Sequence, residues 1–403
     1  MDALDILTDL ENVIPFFQPI FSADEHRVIG YEVLGRYISE NQLTSLGSFF
    51  QDDQIPEEYK FEVDQLLLVK ALEKALESNE DFYIFLNRTA DLLMYNHGEP
   101  FLNELLAFEK RGLNLQRIVL EISEQNYQGD INQLDHLLQY YRTYGIKIAI
   151  ARIDSDSNYF DRIGQLEPDI LKINLQVLKS TTTGTAFNDI LFSLSLLARK
   201  IGATLLFENI EMEYQLHFAW KNGGRYYQGY YLSKPASEFI EHDLLKDRLK
   251  EKFHDFILYG KKRLESFYST SDFFQVKVQE IILKSKKTSY EELFELLMKE
   301  MDQIAFRMYV CDEDGFQQSP NFFKGKDGWG IQKEYINKNW SWRPYFLENI
   351  FKMRNEKKGI LSDLYSDIET GETTRTFSFP MNPTEFLFID IAYNYLFEHD
   401  DLL

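Results

Sequence analysis

Residues 118–154 read IVLEISEQNYQGDINQLDHLLQYYRTYGIKIAIARID. Three elements follow one another in this stretch. "IVLEIS", from Ile118, is a short β-rich apolar run. "INQLDHLLQYYRTYG", from Ile131, spaces its apolar residues as one face of a helix and ends at Gly145, a residue suited to the left-handed turn that closes a helix. "KIAIARI", from Lys147, is a second apolar run with strand character. Strand, helix, strand is the unit of a parallel sheet covered by helices.

The same alternation extends from residue 14 to residue 235. Further strand candidates are "FFQPIFS" from Phe16, "VIGYEVLGR" from Val28, "FYIFLNR" from Phe82, "ILKIN" from Ile170, "TLLFENI" from Thr204 and "YYQGYYL" from Tyr226. "DILFSLSLLARKIG" is another amphipathic helix, closed by Gly202. Eight such strands predict an α/β fold, a closed (β/α)8 TIM-like barrel. Polar residues fall late in six of them: Glu32, Asn87, Glu121, Lys172, Glu208 and Gln228. Strand C-termini meet at one face of such a barrel, so six polar side chains are expected to converge there.

Composition narrows the function. The chain has 403 residues and a formal net charge of −22. A long duplex or an anionic membrane surface would be repelled, which argues against a nucleic-acid polymer as partner; a small anion can still enter a locally positive pocket. Cys311 is the one cysteine, so no disulfide framework is expected, and it reads as a small packed hydrophobe. "MDALDILTDL" lacks a basic n-region, and no apolar run approaches the ~18 residues of a membrane span, so we expect a cytoplasmic protein without membrane insertion.

Three domains are expected: a barrel over 1–240, a helical connector over 241–300, and a small α+β domain over 301–403. The connector contains "HDLLKDRLKEKFHDFILYGKKRLESFY", read as a long charged helix, and "SYEELFELLMKEM", a further amphipathic helix. The last part is β-rich, holds three of the four tryptophans, and includes "FRMYVCDEDGFQ", which reads as strand, turn, strand.

The barrel half resembles the EAL-domain family, the phosphodiesterases of bacterial cyclic di-GMP. "GYEVLGR" is similar to the signature, with Val33 in place of its alanine. "FFQPIFS", "FLNR", "LEISE", "LKIN", "FENIE" and "YYQGYYLSKP" resemble the family's other motifs in order. The resemblance implies two divalent cations, Mg or Mn, at the barrel mouth, with Glu32, Asn87, Glu121 and Glu208 as metal ligands. It implies Lys172 and Glu208 as catalytic groups. Gln18, Glu32, Leu34, Arg36, Arg152 and Gln228 form the implied ligand-binding set, and Glu124 orders a neighbouring loop. Hard cations need oxygen ligands, and two metals need a carboxylate that bridges them.

At the bridge the sequence departs from the family. "ARID" stands where the family has Asp-Asp-Phe-Gly. Ala151 offers no ligand atom, and Arg152 brings a fixed positive charge. Asp154 shares a strand face with Arg152 and would reach the bridge only through a distorted loop. Arg152 has two readings: an internal counter-ion for Glu32, Glu121 and Glu208, or a phosphate grip acting with Arg36. Asn174 and Asn209 also replace the aspartate and the glycine of their motifs.

"NWSWRPYF", "LSDLYSDIETGETTRTFSFP" and "FLFIDIA" resemble Cache domains, a PAS-like sensor fold. Barrel and sensor together are similar to the YkuI-like proteins of Gram-positive bacteria. The resemblance implies a small-ligand pocket formed by Trp340, Arg343, Tyr345, Tyr365 and Asp390, with guanidinium for a carboxylate, and aromatic faces and a carboxylate for an amine. Dimerisation or docking is the other reading of this domain. The expected function is a catalytically degenerate cyclic di-GMP protein that binds or senses the dinucleotide. The alternatives are an active phosphodiesterase with an atypical metal site, and a scaffold acting through its C-terminal domain and an unknown protein partner. The resemblance also implies a homodimer.

Overall fold

The computed structural model describes residues 3–39, 42–52, 54–78, 80–123, 127, 129–150, 159–176, 184–285, 290–343, 346–399 and 402. The chain divides into two compact units, Met1–His254 and Asp255–Leu403.

The strands of the first unit are β1 (Val13–Ser22), β2 (Val28–Ser39), β3 (Gln42–Ser45), β4 (Tyr83–Thr89), β5 (Ile118–Ser123), β6 (Lys147–Ile150), β7 (Ile170–Asn174), β8 (Thr204–Glu208) and β9 (Tyr226–Tyr227). Its helices are α1 (Ala3–Thr8), α2 (Gly47–Gln51), α3 (Glu57–Glu77), α4 (Ala90–Met94), α5 (Glu99–Lys110), α6 (Ile131–Arg142), α7 (Tyr159–Leu166), α8 (Gly184–Ile201) and α9 (Glu213–Lys221). The sheet runs β1-β9-β8-β7-β6-β5-β4-β2-β3, and a further β1–β2 pairing closes it into an eight-stranded barrel with β3 as an outer hairpin arm. Asp130 caps α6 by accepting from Asn132 N, and Gly145 takes φ +83° just beyond its end.

One expectation is corrected. The sheet is not wholly parallel: β1 runs antiparallel to both β2 and β9, while β2, β4 and β5 through β9 are parallel in sequence. The reason is the connection. Only residues 23–27 join β1 to β2, and a parallel partner would need a crossover of a dozen residues or more.

The barrel interior is layered by the two-residue period of its strands. Ile20, Phe85, Val119, Ala149, Ile170, Leu206 and Tyr226 form one apolar layer. One step along the same face of each strand lie Gln18, Asn87, Glu121, Lys172, Glu208 and Gln228, with Glu32 one step beyond Gly30 on β2. The opposite faces, including Ile84, Leu120, Ile148, Leu171 and Phe207, are fully buried as well, so these strands read as near-continuous apolar runs.

Helix α10 (Lys246–Lys284) begins in the first unit and ends in the second. The second unit continues with α11 (Tyr290–Glu300), β10 (Ala305–Asp312), β11 (Asn321–Gly325), β12 (Gly328–Gln332), α12 (Phe346–Glu356), β13 (Ile360–Leu361), β14 (Tyr365–Ser366), β15 (Thr373–Thr374), β16 (Thr376–Pro380), β17 (Glu385–Ile391) and α13 (Tyr393–Glu398). Its main sheet is antiparallel, in the order β12-β11-β10-β17-β16-β13. One face, with Met308, Val310, Leu387 and Ile389, packs with Phe274 and Val278 of α10 and Phe294 and Leu297 of α11. The other, with Tyr309, Cys311, Phe386 and Phe388, packs with Phe346, Ile350 and Met353 of α12. Cys311 is fully buried, as expected of a packed hydrophobe.

"FRMYVCDEDGFQ" is a strand and a turn without the second strand. Phe316 and Gln317 make only isolated bridges, and β11 starts at Asn321. The Gln317 amide donates to Ser319 O and Asn321 Oδ1, and the Ser319 hydroxyl accepts from Val310 N, so side chains tie down the segment that a ladder would otherwise hold.

Arg307 on β10 is 5% exposed and bonds three carboxylates: Asp390 at 2.6 Å, Asp367 at 2.5 Å and Glu369 at 3.0 Å. These contacts pin the loop after β14 to the sheet. Removing one partner of a buried ion pair strands the other charge. Arg307→Met is therefore expected to destabilise the full chain by about 3–5 kcal/mol, read by urea denaturation. A loss under about 1 kcal/mol, the range of exposed pairs, would contradict this account.

Candidate functional site at the barrel mouth

Lys172 projects from β7 into the barrel and is fully buried. Its ammonium lies 2.6 Å from Glu121 Oε2, 3.0 Å from Glu32 Oε2 and 3.3 Å from Glu208 Oε2. Asn87 Nδ2 donates to Glu32 Oε1 at 2.7 Å, and Gln228 Nε2 donates to Glu32 Oε2 at 2.7 Å. The structure thus brings together all six residues singled out by their late position in the strands.

The charges do not balance: one ammonium faces three carboxylates. Burial pushes Glu32 up, but Lys172 and the hydrogen bonds from Asn87, Lys172 and Gln228 outweigh it and hold this carboxyl below the usual range. For Glu121, burial and the neighbouring Glu32 win over Lys172, and its pKa is pushed up to about 8. Burial disfavours the charge on Lys172, yet Glu121, Glu32 and Glu208 hold its pKa above the ordinary value. The surroundings thus favour the charged forms of Lys172 and Glu32 and the protonated form of Glu121.

This arrangement has a pH signature. A carboxyl with a raised folded pKa contributes stability below its unfolded value, and that stability is lost as pH rises through the folded one. In EDTA, stability is expected to fall between about pH 5 and pH 8.5, by a few kcal/mol, because unfolding exposes a Glu121 that ionises near its ordinary value. Thermal melts across this range, repeated on Glu121→Gln, check it. The slope should flatten in the variant; an equally steep slope would assign it to other groups.

The local sequence explains the placement. Asn209, directly after Glu208, has φ +60°, a left-handed conformation that asparagine tolerates better than most residues, so this departure from the glycine of the motif keeps the backbone path. At Gly229 a Cβ would sit 2.1 Å from Ile210 O. That close approach couples the end of β9 to the chain leaving β8: Ile210 N bonds Gln228 O, and Gln228 N bonds Phe207 O. Glycine there lets Gln228 and Glu208 share the mouth.

On the paired strands β1 and β2, Gln18 stands opposite Glu32, Phe16 opposite Leu34, and Ile14 opposite Arg36. Gln18, Glu32, Leu34 and Arg36 therefore share one face that runs outward from the mouth. The half-buried Arg36 guanidinium donates to Gly35 O at 2.9 Å, lies 5.7 Å from the Phe16 ring centre and feels both Tyr230 and Glu32. Ala151, Arg152, Asp154, Glu124 and Tyr345 lie outside the described residues.

The donors fit a hard divalent cation. Glu32, Glu121 and Glu208 each offer an oxygen within 4.8 Å of the others. Gln228 Oε1 is buried and has no hydrogen-bond partner among the described residues, although a buried carbonyl oxygen is normally satisfied. An excess of buried negative charge and an unsatisfied oxygen both suit a cation with oxygen ligands.

In the second unit, Trp340, Arg343 and Tyr365 line one cavity. Asp390, expected to serve an amine there, is fully buried and bonds Arg307 at 2.6 Å and the Thr376 hydroxyl at 2.6 Å. In this structure the Asp390 carboxylate is the counter-ion of Arg307. Trp340–Arg343 is a turn leading into α12. Sequence reading missed Arg307, whose signal was a charged residue alternating with Tyr309 and Cys311. It also missed Tyr230, 57% exposed beside the Gln228–Gly229 motif.

Residues 2–235 match the EAL domain family, more than half of the chain. The chain belongs to the EAL-domain family. Residues 239–403 match the family described as an EAL-domain associated signalling protein domain. The EAL-domain containing protein YkuI of Bacillus subtilis (strain 168), described as uncharacterized, is 52% identical over 406 residues, covering 100% of both chains. A crystal structure of B. subtilis YkuI in complex with substrate c-di-GMP and calcium superposes with a TM-score of 0.95 over 100% of both chains. A standalone EAL protein from Vibrio cholerae O395, in its c-di-GMP bound form, shares the fold at 21% identity and a TM-score of 0.51, over 57% of this chain and 95% of that one. Among the described residues no helix is long and apolar enough to cross a membrane.

Proposed function

We propose that this EAL-domain protein is a cytoplasmic receptor for cyclic di-GMP that hydrolyses the dinucleotide inefficiently. The observation that carries the reading is the barrel mouth. Glu32, Asn87, Glu121 and Glu208 converge there around Lys172, while the sequence has Ala151–Arg152 where the family's bridging pair stands. The 52% identical YkuI, crystallised with c-di-GMP and calcium, supports both the ligand and the need for a divalent cation.

Glu32, Asn87, Glu121 and Glu208 would hold one divalent cation, which supplies the positive charge that a phosphate oxygen needs at an acidic mouth. Arg36 is placed to take a second phosphate oxygen by charge-assisted hydrogen bonding. Lys172 keeps its proton, because the surrounding carboxylates favour its charged form, and so acts as an electrostatic partner. The missing piece is a second carboxylate set to bridge two cations and orient water between them.

Calorimetric titration with cyclic di-GMP, in EDTA and in excess Mg²⁺ or Ca²⁺, tests the reading, with product formation followed in parallel. Cation-dependent binding with intact dinucleotide recovered is the expected result. Linear product formed at rates typical of enzymes, about 1–10³ s⁻¹, would make the protein an active phosphodiesterase with an atypical site. No binding in either buffer would leave the barrel as a scaffold. The homodimer implied by the family is compatible with Ile190, Phe192 and Leu196, exposed on α8, and sedimentation velocity reads it.

A further inference from the structure

Among the three carboxylates at the mouth, Glu208 is held differently from the other two. Glu32 accepts from Asn87, Lys172 and Gln228, and Glu121 accepts from Lys172 at 2.6 Å. Among the described residues, the Glu208 carboxylate accepts no hydrogen bond and has one ion-pair partner, Lys172 at 3.3 Å. Its place is therefore set by the backbone that carries it. Directly after Glu208 the chain turns at Asn209, φ +60°, a left-handed conformation that still costs a residue with a Cβ. Such a turn has to be held from outside.

Two clamps hold it. On the β9 side, Ile210 N bonds Gln228 O and Tyr231 N bonds Ile210 O. On the β7 side the clamp is one side chain, Gln215. It sits in the first turn of α9 and is fully buried, an uncommon place for a glutamine. Its Oε1 accepts from Glu211 N at 2.7 Å and from Met212 N at 3.0 Å, and its Nε2 donates to Leu175 O at 3.3 Å. Leu175 directly follows Asn174, the last residue of β7, which stands opposite Glu208 in the β7–β8 register. Gln215 thus ties the segment leaving Glu208 to the end of the strand that carries Lys172. The two accepted bonds alone would be an ordinary capping box, in which a glutamine at the third helical position reaches back to the start of its own helix. The third bond goes beyond that, because the helix start gains nothing from a carbonyl 40 positions earlier in the chain.

We propose, resting on the reading of the mouth as a cation site, that Gln215 is a positioning residue for Glu208. It fixes the spacing between the ends of β7 and β8, and so sets the Glu208 carboxylate where it shares a divalent cation with Glu32 and Glu121. The effect of Gln215 on the cation must then run through Glu208. Metal ligands that lose their supporting contacts typically bind about 10–100-fold more weakly.

Calorimetric titration of Ca²⁺ into the EDTA-stripped full chain, with cyclic di-GMP present and absent, tests this as a double-mutant cycle. Gln215→Met keeps an unbranched side chain of similar length and removes all three hydrogen bonds. It should weaken calcium binding at least about tenfold. In a Glu208→Gln background, where a neutral oxygen ligand remains and the weakened site still titrates, the same substitution should change the affinity less than about twofold. Gln215→Glu keeps an acceptor for the two loop amides and suits the capping position, but its carboxylate offers no donor to Leu175. Its loss should lie between wild type and Gln215→Met, and it carries the same cycle if Gln215→Met does not fold, which circular dichroism reads. The proposal is overturned if a folded Gln215→Met binds calcium as tightly as wild type, or if Gln215→Glu does. It is also overturned if the loss is equally large with and without the Glu208 carboxylate, which would make Gln215 a helix cap alone. Wild-type protein that binds no calcium in either condition would sink the cation reading of the mouth, and this assignment with it.

Discussion

Lys172→Met is expected to cost about 3–5 kcal/mol of stability in EDTA, and to make the protein depend on divalent cations for most of what it loses. The wild-type mouth buries Glu32 at 8% exposure and Glu121 at 4% around a fully buried ammonium. Methionine keeps the volume and removes the one cation at the centre. Three carboxylates would then face each other at low effective dielectric, and they must either take up protons or bind a cation. Chemical denaturation in EDTA and in millimolar Ca²⁺ reads both parts. The variant should be much weaker than wild type in EDTA and close to it in calcium, with tighter Ca²⁺ binding by calorimetry. A variant equally weak in both buffers would mean that Lys172 packs the barrel and that its charge is incidental. A variant as stable as wild type in EDTA would refute the charge imbalance itself.

The second large effect concerns chemistry. Ala151→Asp combined with Arg152→Asp should raise cyclic di-GMP hydrolysis by at least about a hundredfold, the scale of restoring one electrostatic element of an active site. The substitutions return two carboxylates and remove one fixed positive charge, a change of three charge units two and three positions after Ala149 in the sequence. Cation stoichiometry should rise from one to two per chain, which direct metal analysis counts. If stoichiometry rises without turnover, Lys172 and Glu208 are misplaced for catalysis. If neither changes, the mouth has diverged beyond this pair and the single-cation reading stands alone.

Much of the mouth was legible because its information is local. A polar residue two positions beyond an apolar one shares its face on a strand, whatever the sheet does. Val119 and Glu121, Ile170 and Lys172, and Leu206 and Glu208 each carry that pattern within three letters. Convergence followed from the strand–helix alternation, since parallel strands end together. The antiparallel β1 was also written in the sequence, in the short link 23–27, although alternation alone pointed elsewhere.

Other features depended on partners distant in the chain. Asp390 is a ligand-binding carboxylate only through what the resemblance to Cache domains implies. Its actual partner is Arg307, 83 positions away, brought beside it by the β10–β17 register. Tyr309 and Ser378 sit in unremarkable strand sequence, and the cavity they line exists only once β10, β16 and α12 surround it. The sequence by itself determined the barrel and the polar layer above its apolar layer, because periodicity and residue chemistry are properties of neighbours. Only the tertiary structure decided which carboxyl is pushed towards its protonated form, which arginine is a counter-ion and which lines a cavity. Those outcomes depend on burial and on distances across the fold, and the energy of a charge changes severalfold between water and a packed interior.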